Sequence, residues 1–239
     1  GRRPQAEPRA GKRNMLKLAV FDLDGTLCAV GRAILPETLQ ALVSLQAQGI
    51  QLAVSSGKPV YYLCGIVRQA GLRNVILMGE NGADVQRGVD LPPAEYYRMP
   101  VAPHTRAALS MLSSKLEETF GRRIWLQPVT PFFADEATHE ELRAFCAREI
   151  TPDMGITIYD QRDCIDLCPT GLDKGSGLVF LCNQLGLSPA DAAAVGDGIN
   201  DAPMLRTAGC SIGIGSAPVA GAQCTVPTIS EALALLRNF

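Results

Sequence analysis

The stretch Asp22-Leu23-Asp24-Gly25-Thr26-Leu27 directly follows the apolar run 16–21. The apolar run predicts a buried strand, which puts Asp22 and Asp24 at the strand's carboxyl end. Burying a charge is costly unless something pairs it, and here two like charges stand one residue apart. Folding alone does not call for such a pair, whereas a divalent cation and phosphoryl chemistry would account for it.

The bulk composition is that of an ordinary globular protein. The chain has 239 residues, 47% of them hydrophobic, and a formal charge of −2. This near-neutral balance gives no reason to expect a nucleic-acid partner or an acidic membrane surface. No apolar run approaches the ~20 residues of a membrane span. Residues 1–14 are strongly basic and lack apolar periodicity, so we expect a disordered extension or a cloning remnant, with Met15 as the natural start.

The eight cysteines are not expected to form a disulfide framework. A chain of this length has a core and does not need one. Most of the cysteines fall inside predicted helices or strands, where cysteine behaves as a small buried apolar residue. Cys164 and Cys168 lack the partners of a zinc site. We therefore expect a reduced, cytoplasmic protein.

Strands and helices alternate along the first third of the chain. This pattern predicts a Rossmann-like, doubly wound parallel sheet with helices on both faces, an α/β fold. Glycines and prolines mark the ends of these elements. The predicted strands are 16–21, 50–54 and 75–78, and the predicted helices are 36–48 and 59–70.

A smaller α+β cap is predicted to interrupt this core. A hairpin is expected over 83–91, followed by an insert with helices 104–120 and 138–150 and strands 124–127 and 155–160. Core alternation then resumes with strand 164–168, helix 174–185, strand 192–195, helix 200–208, strand 210–214 and a helix over 230–237 capped by Ser230. The expected division is 1–14 for the extension, 15–84 and 163–239 for the core, and 85–162 for the cap.

Four polar groups are predicted to meet at one edge of the sheet. Ligands bind in open α/β sheets at the carboxyl ends of the strands, where these groups lie. Separately each has a plain structural explanation, but together they form a candidate site. The groups are Asp22 with Asp24, residues 55–58 (Ser-Ser-Gly-Lys), Asp173 with Lys174, and residues 196–201 (Gly-Asp-Gly-Ile-Asn-Asp).

Each group also has a structural alternative. Ser56 either presents its hydroxyl to a phosphate or caps the helix that follows it. Lys174 opens its helix, the wrong end for a cation, so it either binds an anion or is a solvated surface lysine. Asp197 and Asp201 offer two carboxylates for a hard cation, or one of the residues in this loop is only a helix cap.

In this order the four groups resemble the motifs of the haloacid dehalogenase-like hydrolase superfamily. The resemblance runs from about residue 16 to the end of the chain, and the insert resembles the cap of the capped phosphatases. Residues 79–82, Gly-Glu-Asn-Gly, and the short insert resemble most the archaeal-type phosphoglycolate phosphatases, beside sucrose-phosphate phosphatase-like proteins. Ser56 and Lys58 stand where the family usually has threonine and often has arginine.

The resemblance implies a Mg²⁺-dependent phosphatase that acts on a small phosphorylated metabolite, phosphoglycolate or a sugar phosphate. Asp22 would be the nucleophile that forms an aspartyl-phosphate, and Asp24 the general acid and base. The remaining implied roles follow the motifs. Metal ligands would be Asp22, the backbone carbonyl of Asp24, Asp197 and Asp201, and phosphate-binding residues would be Ser56, Gly57, Lys174 and Asn200.

Other functions are compatible with some of the same residues. Cation pumps share the last motif, but they have no carboxylate at the position of Asp24 and they need membrane segments. A phosphomutase or phosphotransferase with the same nucleophile stays open, as does a catalytically silent binding protein on this scaffold. Whether the protein is a monomer or a homodimer is also open. Substrate selection is expected in the cap, with the candidates Arg98, His104, Arg122, Arg123, Trp125, His139 and Arg143.

Overall fold

The computed structural model describes residues 16–124, 136–160 and 165–238. The predicted extension 1–14, Met15, Trp125, Cys164 and all but the first residue of the strand predicted over 124–127 lie outside these ranges. Among the described residues, no helix combines the length and the apolar character that crossing a bilayer requires.

An eight-stranded sheet forms the centre of the molecule, with the strand order β10-β9-β8-β1-β2-β3-β4-β5. The first six of these strands are parallel, and β4 and β5 are added antiparallel at one edge. β1 is buried throughout and lies between β2 and β8. The strands are β1 Leu18–Asp22, β2 Gln51–Ser55, β3 Val75–Gly79, β4 Asp84–Arg87, β5 Glu95–Arg98, β8 Ala192–Gly196, β9 Cys210–Ile214 and β10 Cys224–Val226.

Helices cover both faces of this sheet because its central strand is apolar on both sides. Ala19 and Phe21 of β1 pack into one core cluster, and Leu18 and Val20 pack into the other. This is the period-two alternation of a strand that is buried on both faces. The first cluster includes side chains of α1 (Pro36–Ala47), α2 (Val60–Gln69) and α7 (Ile229–Leu236), and the second those of α5 (Lys174–Leu185) and α6 (Ala202–Thr207). The predicted doubly wound core is confirmed.

A second, smaller α+β unit has its own core. It consists of α3 (Pro103–Phe120), α4 (Glu136–Glu149) and the antiparallel pair β6 (Ile156–Asp160) and β7 (Ile165–Pro169). Leu112 and Leu116 of α3 are fully buried against side chains of α4 and β7. The inserted cap predicted from the sequence is thus present.

Two predicted strand arrangements are wrong. The hairpin expected over 83–91 does not form, since β4 pairs instead with β5 across residues 88–94. Tyr97 of β5 packs on the core of the main sheet, which gives this strand one buried face. The strand predicted over 164–168 was expected in the main sheet, but among the described strands β7 pairs with β6 alone, because Ile165 and Leu167 are buried in the cap core.

The division into domains stays a proposal. The pairing just described favours placing the cap between about residues 99 and 170, rather than over 85–162, because β4 and β5 belong to the main sheet.

The last helix differs from its prediction in a smaller way. Its amino end is capped by Thr228, whose Oγ1 accepts a hydrogen bond from Glu231 N at 3.3 Å, rather than by the predicted Ser230.

This cap can be tested by a matched pair of variants. Thr228→Ala removes the acceptor for the Glu231 N–H group and should lower the free energy of unfolding by about 1 kcal/mol. Ser230→Ala removes a similar hydroxyl from the first turn of the same helix and should change it by less than about 0.5 kcal/mol. Urea unfolding of both variants is the measurement, and equal losses would contradict the assigned cap.

Candidate active site

A buried ion-pair cluster lies at the carboxyl end of β1. The Lys174 ammonium bonds to Asp22 Oδ1 and to Asp201 Oδ1, each at 2.6 Å. Only 1% of Lys174 is exposed. The alternative of a solvated surface lysine is therefore wrong, and the residue binds anionic groups at the start of its helix.

Three carboxylates converge around this ammonium. One oxygen from each of Asp22, Asp197 and Asp201 lies within 4.8 Å of the other two. Thr26 Oγ1 donates to Asp197 Oδ1 at 3.0 Å, and the backbone N–H groups of Asp197 and Gly198 donate to Asp201 Oδ2 at 3.0 and 2.9 Å. Hard divalent cations such as Mg²⁺ prefer such oxygen ligands. The three side chains therefore fit the metal site that the sequence predicts.

The loop after β1 makes room for this cluster through a glycine. Gly25 has φ 91°, and an added Cβ would lie 2.2 Å from Asp197 Oδ2. A side chain at this position would collide with a carboxylate of the cluster, and the backbone conformation itself favours glycine. Gly25 thus lets the loop from β1 approach the loop from β8.

Burial shifts the ionisation of the cluster. Burial raises the pKa of Asp22 to about 7, although Lys174 opposes the shift. Burial also raises the pKa of Asp197 above its ordinary value. For Lys174, burial acts to lower the pKa, but Asp201 and Asp22 together outweigh it and raise the pKa. The lysine therefore stays charged, and the further positive charge of a divalent cation would favour the ionised carboxylates.

Asp24 occupies a different position from its neighbour. Its Oδ2 accepts a hydrogen bond from Lys58 Nζ at 2.6 Å, and Gly31 N donates to its Oδ1 at 3.4 Å. The carboxyl of Asp24 is not part of the carboxylate triad. The predicted roles of Asp24, its backbone carbonyl as a metal ligand and its side chain in proton transfer, stay predictions.

The loop after β2 brings Ser56 to the same edge. The last residue of β2, Ser55, lies opposite Asp22 in the parallel register. Ser56 is buried, and its Oγ accepts from Lys58 N at 3.2 Å. It does not cap α2, whose N-cap position is occupied by Pro59 without a side-chain bond. The alternative that Ser56 caps this helix is therefore wrong.

Several predicted residues have no demonstrated place in the cluster. Asn200 is half-buried on the loop that carries Asp197 and Asp201, and its phosphate-binding role stays a prediction, like that of Gly57. Four of the seven cap candidates bond to carboxylates. Arg98 bonds to Asp84 at 2.7 and 3.0 Å, Arg123 pairs with Glu141 at 2.8 Å, and Asp160 binds both His139 and Arg143. His104 and Arg122 are exposed.

The family model described as haloacid dehalogenase-like hydrolase matches residues 19–91 and 112–223. The chain belongs to this family. The hydrolase is 32% identical over 208 residues to the phosphoglycolate phosphatase of Methanoculleus marisnigri, with 86% of each chain covered. It is 26% identical to the HMP-PP phosphatase of Klebsiella pneumoniae, with 85% of each chain covered.

Solved structures support the fold of the hydrolase. A haloacid dehalogenase-like hydrolase from Bacteroides thetaiotaomicron superimposes with a TM-score of 0.74 at 20% identity, covering 93% of this chain and 98% of that one. Another from B. subtilis gives a TM-score of 0.69 at 20% identity, covering 94% and 100%. The family predicted from the four motifs is confirmed by the family model and by the relative at 32% identity.

The different positions of the aspartates make a testable prediction. Asp197→Asn removes one carboxylate charge from the triad and should weaken Mg²⁺ binding by at least about tenfold. Asp24→Asn leaves the triad intact and should change the affinity much less, since its carboxyl faces Lys58. Isothermal titration of both variants with MgCl₂ is the measurement, and an equal loss in the two would show that the triad is not the metal site.

Proposed function

We propose that the protein is a Mg²⁺-dependent phosphatase that hydrolyses a small phosphorylated metabolite through an aspartyl-phosphate on Asp22. The observation that carries the proposal is the buried Lys174 ammonium between Asp22 and Asp201 within the carboxylate triad. The predicted class of phosphoric monoester hydrolase is supported by the family match and by the relatives named as phosphatases.

In the first step an oxygen of Asp22 attacks phosphorus while the bond from phosphorus to the leaving oxygen breaks. Asp24 gives its proton to that oxygen, so the product leaves as a neutral alcohol. In the second step Asp24 takes a proton from water, and the water oxygen attacks the phosphorus of the aspartyl-phosphate. This returns Asp22 as a carboxylate and releases inorganic phosphate.

Lys58 positions the side chain of Asp24. Its ammonium lies 2.6 Å from Asp24 Oδ2, and the two side chains are about four-fifths buried, with exposed fractions of 20% and 19%. The pairing links the loop after β1, which carries Asp24, to the loop after β2, which carries Lys58.

Three further groups stabilise charge on the phosphoryl oxygens. Lys174 supplies a fixed positive charge beside Asp22, and Ser56 with the amide of Gly57 offers hydrogen-bond donors from the next loop. Asp22, Asp197 and Asp201 would hold Mg²⁺, with the Asp24 carbonyl as a fourth ligand, and Asn200 would contact the phosphate. When bound, Mg²⁺ offsets the negative charge of the phosphoryl group and of the nucleophile.

The proposed substrate is phosphoglycolate or a sugar phosphate. Relatives named phosphoglycolate phosphatase from several organisms support the first. Other relatives are named HMP-PP phosphatase, which favours testing further phosphorylated compounds. A phosphomutase would use the same nucleophile, but it would return the phosphoryl group to an organic hydroxyl. Release of inorganic phosphate therefore separates the two reactions.

The function is tested by phosphate release from a panel of phosphorylated metabolites, including phosphoglycolate and several sugar phosphates. We expect turnover with MgCl₂, none with EDTA, and a fall of about three orders of magnitude or more in Asp22→Asn. Asp90→Asn is the matched control, because it makes the same change at a carboxylate that is 83% exposed and pairs only with Arg73 at 3.7 Å among the interactions described.

Failure of the folded wild-type protein to release phosphate from any compound would contradict the proposal. Phosphoryl transfer to an added sugar hydroxyl, without phosphate release, would assign the mutase reaction in its place.

A further inference from the structure

Residues 80 and 81 form an unusual turn directly after β3. Glu80 and Asn81 have φ values of 49° and 58°, so two consecutive non-glycine residues are in the left-handed region. Both are buried. Such strained backbone persists only where the surrounding structure holds it, and it is concentrated at functional sites.

The backbone of this turn holds the loop 56–58. Glu80 N donates to Lys58 O at 2.9 Å, and Asn81 N donates to Ser56 O, also at 2.9 Å. Ser56 N in turn donates to Met78 O at 3.0 Å. The left-handed conformation aims two consecutive N–H groups at carbonyls on either side of Gly57, which fixes the loop at both ends.

The Asn81 side chain extends this support to the cap. Its Nδ2 donates to Asp166 Oδ2 at 3.1 Å, and both residues are nearly inaccessible, at 4% and 3% exposure. A carboxylate accepts and does not donate, so the amide must turn its nitrogen towards Asp166. Its Oδ1 is buried and has no hydrogen-bond partner among the described residues.

Gly57 packs directly against this pair. A Cβ added to Gly57 would lie 3.3 Å from Asp166 Oδ2 and 3.6 Å from Asn81 Oδ1. The contact leaves little room for movement of the loop towards β7. On its other side the turn meets α5, since a Cβ added to Gly82 would lie 2.6 Å from the Cα of Gly177. The turn thus lies between the loop of Ser56 and the helix that carries Lys174.

We propose that Asn81 is a positioning residue of the phosphate site. Its backbone and its bond to Asp166 hold Ser56 and Gly57 at the distance from Lys174 that a phosphoryl group requires. This inference rests on the proposed function, because it takes the loop 56–58 as the phosphate cradle. Asn81 itself acts through the loop and does not touch the reacting atoms.

The test exchanges the two partners and measures the affinity for inorganic phosphate by isothermal titration in the presence of MgCl₂. Asn81→Asp places two carboxylates face to face and should weaken phosphate binding by about tenfold or more. Adding Asp166→Asn restores an amide–carboxylate pair in the reverse order and should recover the affinity to within about threefold of wild type. Aspartate tolerates the left-handed backbone, so the exchange keeps the turn.

A second variant and a control separate positioning from stability. Asn81→Gly keeps the positive φ, removes the amide and should also weaken phosphate binding. Gln86→Ala removes another buried amide, which lies on β4. The Gln86 side chain donates to Gly88 O at 3.0 Å and not to the loop 56–58. It should lower the melting temperature without changing the phosphate affinity.

Wild-type affinity in folded Asn81→Asp and Asn81→Gly would overturn the inference, as would an exchange that recovers nothing. These outcomes differ from failure of the proposed function. A wild-type protein that binds phosphate but turns over no substrate would contradict only the phosphatase, whereas one that binds no phosphate would overturn both.

Discussion

The site depends on the two ion pairs of the buried Lys174 ammonium. The ammonium lies at 2.6 Å from both Asp22 and Asp201 and joins the end of β1, the loop after β8 and the start of α5. Placing a cation at the amino end of a helix is unfavourable for the helix dipole. Removing a charge from water is also costly, and only close, well-oriented partners offset that cost. The two carboxylates meet this requirement.

The cluster is not balanced by this lysine alone. Three carboxylates face one ammonium, so the site carries excess negative charge when all three are ionised. The raised pKa of Asp22, about 7, reflects the cost of burial that Lys174 only partly offsets. A divalent cation would lower that cost and favour the ionised nucleophile. The same excess charge would make the site bind a phosphate poorly without the cation, so the proposed function implies that metal and phosphate binding are coupled.

Much of this arrangement could be predicted from the sequence. Residues 18–21 of β1 are apolar and buried, so its position in the sheet and the site at its carboxyl end follow from local pattern. The partners of individual side chains could not be predicted in this way. The pairing of Lys58 with Asp24, and of Asp160 with both His139 and Arg143, joins residues far apart in sequence. Neither is encoded in a local period.

The proposed role of Asn81 could not be predicted from the sequence for a related reason. Residues 79–82 indicated only a resemblance to phosphoglycolate phosphatases, and an Asn-Gly pair by itself is a common turn signal. Its partner Asp166 lies inside a strand whose pairing with β6 the alternating pattern did not predict. The signal available in the sequence was the aspartate at position 166 between apolar neighbours, because such a residue on a buried strand needs a polar partner.

The central claim is that Asp22 carries the phosphoryl group between the two steps. It is tested by incubating Asp24→Asn with MgCl₂ and p-nitrophenyl phosphate, whose leaving group needs little protonation, and quenching in acid. Because this variant lacks the base for the second step, turnover should fall by about 10²–10⁴-fold. Mass spectrometry should then find one phosphoryl group on the peptide that contains Asp22. A phosphoryl group on another residue, or release of p-nitrophenol with no phosphoenzyme, would contradict the account.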